Sequence, residues 1–171
     1  MADKSTLTAE HLRHLLDYSP ASGVFTWRIS PSPRVKPGDT AGTVNDRGYI
    51  KIKIGGKHIP AHRLAFLWMT GEEPTDQVDH INGIRSDNRW DNLRLATASQ
   101  NQWNKAPQGN NSSGFPGVYW DKQKRKWRVQ IKDHGRVIFL GYFECPEIAF
   151  KMWRSVAKTL RGEYYRPPSA A

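Results

Sequence analysis

Asp79 and His80 stand side by side in Val78-Asp79-His80-Ile81-Asn82-Gly83, a run that reads as a strand carrying the pair into a turn. A neutral imidazole, with an ordinary pKa of ~6.5, can take a proton at cellular pH, and a carboxylate offers a hard anionic oxygen. Polar residues then follow at short intervals: Asn88, Asn92, Thr97, Asn101 and Asn104. Asn92 lies twelve residues after His80, and Asn101 nine further on, in a segment (98–105) that can form one or two helical turns. An Asp-His pair at a strand end is usually a turn with hydrogen-bonded surface groups, and Asn-rich stretches usually mark turns and caps. The order and spacing of the whole set single it out.

Residues 78–83 and 87–94, with Thr97 and Asn101, resemble the strand-turn-strand-helix metal motif of the HNH nuclease family. Where that family's name implies a final His this chain has Asn101, a variant common among phage and intron homing endonucleases. The resemblance implies a ββα-metal (His-Me finger) domain with its core motif at 78–105. It further implies that Asp79 and Asn101 bind one divalent ion, that His80 is the general base, and that Asn92 braces the loop orienting His80. These roles suit the residue types. Phosphodiester hydrolysis needs an activated water opposite the leaving 3′ oxygen and a cation with open coordination positions. Two oxygen ligands favour Mg²⁺ or Mn²⁺, one ion per active site, over catalytic zinc. Arg85, Arg89 and Arg94 are expected along the phosphate backbone, with solvated surface charge as the alternative. His62 is expected to pack structurally, with lining of the catalytic cleft or contact with a phosphate as the alternative. Asn82, Asn88, Asn104 and His58 are read as turn, cap or surface residues without catalytic roles.

The elements that must position this set are legible around it. Residues 7–18 place Leu12, Leu15 and Leu16 on one helical face with Thr8 as N-cap, and 24–28 read as a strand. Residues 30–42, rich in Pro and Gly, read as a loop. Residues 48–59 alternate apolar and polar about Gly55-Gly56, which predicts a β-hairpin with a two-residue turn. Residues 61–70 carry Leu64, Phe66, Leu67 and Trp68 on a helix stopped by Gly71 and Pro74.

Residues 106–113 form the expected linker, separating a domain at 1–105 from one at 114–171. Beyond residue 114, twelve Lys and Arg face five Asp and Glu. Three antiparallel strands are expected at 115–119, 126–132 and 137–143, followed by a helix at 146–160. Ile148, Ala149, Met152, Trp153 and Val156 would cover the sheet's apolar face. Strict alternation turns Trp127, Val129 and Ile131 to one side and Arg128, Gln130 and Lys132 to the other. Ser113-Gly114, Gly117-Val118, Lys126-Trp127, Ile131, Gly135-Arg136, residues 140–143 and Glu147-Ile148-Ala149 resemble the AP2 DNA-binding domain. In that family a three-stranded sheet enters the major groove. The resemblance therefore makes Tyr119, Lys124, Arg125, Arg128, Gln130, Lys132 and also Phe139 candidate DNA contacts, with Arg128 and Gln130 suited to reading base edges. The chain lacks several arginines of the plant members, with Tyr119 and Asp121 near those places and an extra residue in the first hairpin, so base specificity does not transfer. Trp120 and Trp127 are expected in the core against the helix.

Composition agrees with this division. Twenty-six Lys and Arg against sixteen Asp and Glu give +10 over 171 residues, a balance suited to a polyanionic partner. Seven Trp, six Tyr and six Phe argue against disorder. Cys145, the single cysteine, excludes an intrachain disulfide framework and Cys-clustered zinc. Neither a signal-peptide core nor a bilayer-length apolar run is present, so a cytoplasmic protein is expected, in the host-cell cytoplasm if phage-encoded. The sequence thus predicts an α+β protein, a ββα-metal nuclease domain plus a small three-stranded antiparallel sheet packed on one helix. It would hydrolyse duplex DNA with a divalent metal as a site-specific homing endonuclease, as monomer or homodimer. Two alternatives stay open: a DNA-binding regulator with a vestigial nuclease site, and a structure-selective nuclease without homing.

Overall fold

Thr8 opens the first helix, α1 (Ala9–Leu15), its hydroxyl accepting the His11 N–H at 3.2 Å. The computed structural model describes residues 7–103, 111 and 113–167, and its contacts divide the chain into two units, up to Thr97 and from Ala98 onward. The expected linker at 106–113 lies mostly outside the described residues.

In the first unit, α1 ends at Leu15, three residues short of the helix expected over 7–18. Leu16 turns extended (φ −133°, ψ 147°) and begins β1 (Leu16–Ser19), which pairs antiparallel with β2 (Val24–Trp27). Residues 16–19 satisfy both periodicities, since Leu16 and Tyr18 alternate with Asp17 and Ser19. Pairing decides the outcome, because as a strand the segment buries Leu16 and Tyr18 together with Phe25 and Trp27. A three-stranded antiparallel sheet follows in the order β3 (Thr43–Val44), β4 (Ile50–Ile54), β5 (Lys57–Pro60). Ile54 pairs with Lys57 across Gly55-Gly56, so the expected two-residue turn is present, both glycines having positive φ. Helix α2 (Ala61–Thr70) runs as expected and ends on left-handed Gly71, whose N–H bonds the Leu67 carbonyl. Its Leu64, Ala65 and Leu67 join Leu12, Leu16, Phe25 and Ile52 in one core. That core seats β6 (Gln77–His80), which pairs antiparallel with β7 (Leu93–Ala96) after a short 3-10 turn at Trp90–Asn92. Val78 and Leu93 belong to the same core, so the strand delivering Asp79 and His80 is anchored by its own apolar residues.

The second unit begins with α3 (Ala98–Trp103). A three-stranded antiparallel sheet follows, ordered β10-β9-β8, from β8 (Val118–Asp121), β9 (Lys126–Asp133) and β10 (Arg136–Phe143). It packs on α4 (Pro146–Arg161) around Val118, Val129, Ile131, Ala149, Trp153 and Ala157. The covering set differs from the expected one: Ile148 and Met152 are 55% and 41% exposed. Ala149 and Trp153 are buried as expected and form with Ala157 a stripe spaced four apart, whose two alanines let the helix backbone close on the sheet. Trp120 is also corrected, being 44% exposed and edge-on to Trp127 at 5.1 Å, while Trp127 itself packs on the core. Arg161, buried at the end of α4, donates to the Trp103 carbonyl at 2.8 Å and lies over the indoles of Trp103 and Trp153, tying α3 into this unit.

Candidate active site

The hairpin β6–β7 fixes the register of the charged pair. Asp79 faces Arg94 and His80 faces Leu93. Cross-strand neighbours on one face are close enough to bond, and Arg94 donates Nε and Nη2 to Asp79 Oδ2 at 3.2 and 2.9 Å. The pair is largely buried, with side-chain exposures of 14% and 9%. Arg94 is therefore held against Asp79. Arg89 is likewise engaged, forking onto both oxygens of Asp87 at 2.9 Å each. That guanidinium holds the Asp87 carboxyl down at about 2. Arg85 donates to the Arg47 carbonyl at 2.9 Å and lies over the Tyr49 ring.

Asn92 is buried inside the loop that links the two strands. Its Oδ1 accepts the Asn82 N–H at 2.9 Å, its Nδ2 donates to the Asp87 carbonyl at 2.7 Å, and its own carbonyl accepts the Ile81 N–H at 2.8 Å. Each bond spans the loop, so this side chain replaces a missing stretch of ladder. Asn82 closes the other end, bonding Asp87 Oδ2 and the Ile84 N–H.

His80 is 3% exposed, and its Nε2 lies 3.0 Å from Oδ1 of Asn88, itself buried. The His62 ring meets it edge-on at 5.1 Å, and Tyr49 contacts both imidazoles at 5.4 and 6.0 Å. His62 thus lies in the core side of the site and also lines a cleft of about 480 Å³ with Asn45, Arg47, Tyr49 and Lys51. Asn88 and His62 are the residues that sequence reasoning placed outside the chemistry or in plain packing. Nothing local marks either one, since the partner of each is reached only through the fold.

Burial first, then the charges of His80 and Arg63, push the His62 imidazole down to about 3, and its buried Nδ1 has no hydrogen-bond partner among the described residues. The folded protein keeps this ring neutral while the unfolded chain protonates it near 6.5. Stability carried by His62 is therefore complete above pH 6.5 and lost as pH falls from 6.5 toward 3. Burial pushes the Tyr18 hydroxyl the other way, up to about 12, with Asp91 and Asp87 adding to the shift. Its contribution is complete below pH 10 and lost between about pH 10 and 12. Urea unfolding followed across pH is expected to show both flanks, each with a slope of at most ~1.4 kcal/mol per pH unit per group. Stability that stays flat between pH 6.5 and 4 would contradict a neutral buried His62.

Asn101 lies on α3, in the second unit, whereas Asp79, His80 and Asn92 lie in the first. Among the described residues no group of three or more His, Cys, Asp and Glu is placed to hold a metal. In the second unit Tyr119, Arg128 and Tyr142 share one register across the sheet, and Gln130 pairs with Phe139 and Lys132 with Val137. Tyr119, Arg128, Lys132 and Phe139 are exposed on this face, with Arg128 lying over the Phe139 ring at 5.8 Å. Lys124 and Arg125 sit in the β8–β9 turn, where Asp121 Oδ1 accepts the N–H groups of Gln123 and Lys124.

Residues 60–103, from the start of α2 to the end of α3, match the family model described as HNH endonuclease. Protein 3.8 of Escherichia phage T7 is 30% identical over 103 residues, 58% of this chain and 84% of its own length. The chain is also similar to a solved structure of the HNH homing endonuclease I-HmuI, described in terms of DNA binding and cleavage. Identity there is 27% and the TM-score 0.40, and the match spans 53% of this chain and about half, 51%, of that one. No helix among the described residues is long and apolar enough to cross a membrane.

Proposed function

The chain belongs to the HNH endonuclease family, and from that premise we propose that it is a divalent-metal-dependent DNA endonuclease of the site-specific homing type. One observation carries the reading: at the end of β6, beside Asp79, His80 is held between the Asn88 amide and the His62 ring. The loop that follows it is closed by Asn92.

In this reading His80 takes the proton of the attacking water as that oxygen bonds to phosphorus, and the P–O bond to the 3′ oxygen breaks, leaving a 5′ phosphate and a 3′ oxygen that takes a proton from solvent. Asn92 keeps the loop from drifting as the ring changes charge. Asp79 and Asn101 would hold Mg²⁺ or Mn²⁺, one ion per site, and the ion would supply charge stabilisation to the phosphate and the leaving oxygen. The donor chemistry fits a hard cation: Asp79 contributes an anionic oxygen and already holds one cation, the Arg94 guanidinium, in a largely buried setting. The nuclease domain would occupy 1–105 and an AP2-like domain 114–171, joined by the linker at 106–113. The exposed face bearing Tyr119, Arg128, Gln130 and Lys132, with Lys124 and Arg125 at its edge, would lie on duplex DNA. Arg85 and Arg89 would approach the backbone from the nuclease side, and Arg94 acts through Asp79. The protein would work as monomer or homodimer, in a host cytoplasm if phage-encoded.

The rival in which the site is vestigial draws on the same ion pair, since a carboxylate neutralised by Arg94 has less charge for a metal. Incubation of supercoiled plasmid with Mg²⁺ separates the two. Nicking or linearisation that stops on chelation supports the enzyme, and intact plasmid in both arms supports the regulator. Binding supplies a further expectation. Arg128→Ala and Lys132→Ala each remove one positive contact, so affinity is expected to drop about 5- to 100-fold and the slope of log affinity against log salt to shrink by about 0.9 per lost phosphate contact. Fluorescence anisotropy at several salt concentrations measures both, and an unchanged slope would move the DNA off this face.

A further inference from the structure

We infer that the N-terminal hairpin β1–β2 acts through Asn88 to hold His80 in a single tautomer, so that Tyr18 and Asn88 are positioning residues for the proposed general base. The inference rests on the reading of His80 given above and concerns side chains of the first unit alone.

Asn88 is 1% exposed, and a buried amide is tolerable only when its polar atoms are bonded. Its Nδ2 donates to the Ser86 carbonyl at 3.4 Å. Turning the amide over would set two carbonyl oxygens against each other there, so Oδ1 is the atom that faces His80 Nε2 at 3.0 Å. A carbonyl oxygen only accepts, which puts the proton on Nε2 and the ring's lone pair on Nδ1. The proton removed from water would then arrive at Nδ1. An apolar side chain of similar size would fill the same space, and what the amide adds is an acceptor for the ring N–H.

Asn88 is itself fixed from a distant part of the chain. The buried Tyr18 hydroxyl donates to the Asn88 carbonyl at 2.7 Å, across 70 positions of sequence. The Trp90 N–H donates to the Pro20 carbonyl at 3.0 Å. Between these contacts the turn at Gly23 (φ +72°) presses on the same backbone. A Cβ there would sit 2.8 Å from the Asn88 carbonyl oxygen and nearer still to Asn88 C and Arg89 N. Glycine is required on both counts, conformation and approach. Tyr18 is in turn wedged against Phe25 and Trp68, with ring centroids at 4.6 and 5.8 Å. The hairpin thus grips residues 88–90 at three points, and the Asn88 side chain passes that constraint to the ring.

The test is ¹⁵N NMR of the histidine rings in the full-length, metal-free protein at alkaline pH, paired with plasmid cleavage by the same variants. Wild-type His80 is expected to carry its proton on Nε2. Asn88→Ala is expected to lose that single tautomer and to cut about 10- to 100-fold more slowly. Asn88→Asp keeps an acceptor and is expected to restore both the tautomer and most of the rate. Tyr18→Phe keeps the ring, frees only the Asn88 carbonyl, and is expected to slow cleavage about 5-fold. A wild-type ring protonated on Nδ1, or an Asn88→Ala protein with tautomer and rate unchanged, overturns the inference. If Asn88→Ala fails to fold, mixed tautomers in Asn88→Asp do the same. Should the tautomers behave as expected while no form of the protein cuts DNA, the buttress stands and the nuclease reading falls.

Discussion

His80→Ala is expected to slow DNA cleavage by roughly 10²- to 10⁴-fold, the range a positioned general base supplies, while leaving DNA affinity in place. The two effects separate because the ring is buried beside Asn88 and His62 in the first unit, whereas Arg128 and Lys132 belong to the second and keep their charge in the variant. Single-turnover cleavage measured alongside anisotropy binding reads both quantities. The substitution also removes a side chain that His62 and Tyr49 pack against, so stability is expected to fall by about 1–3 kcal/mol. His80→Gln retains a polar side chain of similar bulk and serves as a control. A Gln variant that folds as well as the wild type and cuts as fast would remove His80 from the chemistry.

Asp79→Ala is expected to have the second large effect, and on two properties at once. The carboxylate that Arg94 forks onto would be lost, and breaking a largely buried pair from one side costs about 3–5 kcal/mol. Asp79→Ala combined with Arg94→Ala is expected to recover part of that loss, because the ion pair is then removed from both sides. Urea unfolding of the four proteins in this cycle measures the coupling. Loss of an anionic ligand should in addition weaken Mg²⁺ or Mn²⁺ binding by more than the roughly 10- to 100-fold typical of outer-shell changes. Calorimetric titration of the double variant against Arg94→Ala isolates this effect, since both proteins lack the guanidinium that occupies Asp79. Equal metal affinity in those two proteins would take Asp79 out of the proposed ligand set.

The parts of the fold legible in sequence are those whose signals are local. The alternation about Gly55-Gly56, the apolar stripe over 61–70 ending at Gly71, and the in-out pattern of Trp127 to Lys132 each specify an element from a few neighbouring residues. Residues 16–19 misled because Leu16 and Tyr18 fit a helical stripe and a strand face equally well, and only Phe25 and Trp27 decide between them. Trp120 and Met152 have the chemistry of core residues yet are exposed, while Ala157, a small residue that local hydrophobicity ranks low, joins the expected Ala149 and Trp153 in the core. The candidate site divides in the same way. Asp79 and His80 announce themselves by adjacency, and pairing 77–80 with 93–96 would have set Arg94 opposite Asp79. Asn88 and His62 gave no such signal, because what qualifies them is contact with His80, and Asn88 further depends on Tyr18.

The proposed reaction is cleavage of phosphodiester bonds in duplex DNA by His80 beside a hard-cation ligand. Its most direct test is strand-specific end-labelled mapping of cleavage on the genomic DNA of a candidate host, with wild-type and His80→Ala protein, each with Mg²⁺ or with chelator. Discrete breaks ending in a 3′ hydroxyl, made by the wild type with Mg²⁺ and by no other combination, are the predicted result. Intact DNA in every lane, or the same breaks from His80→Ala or under chelation, would contradict it.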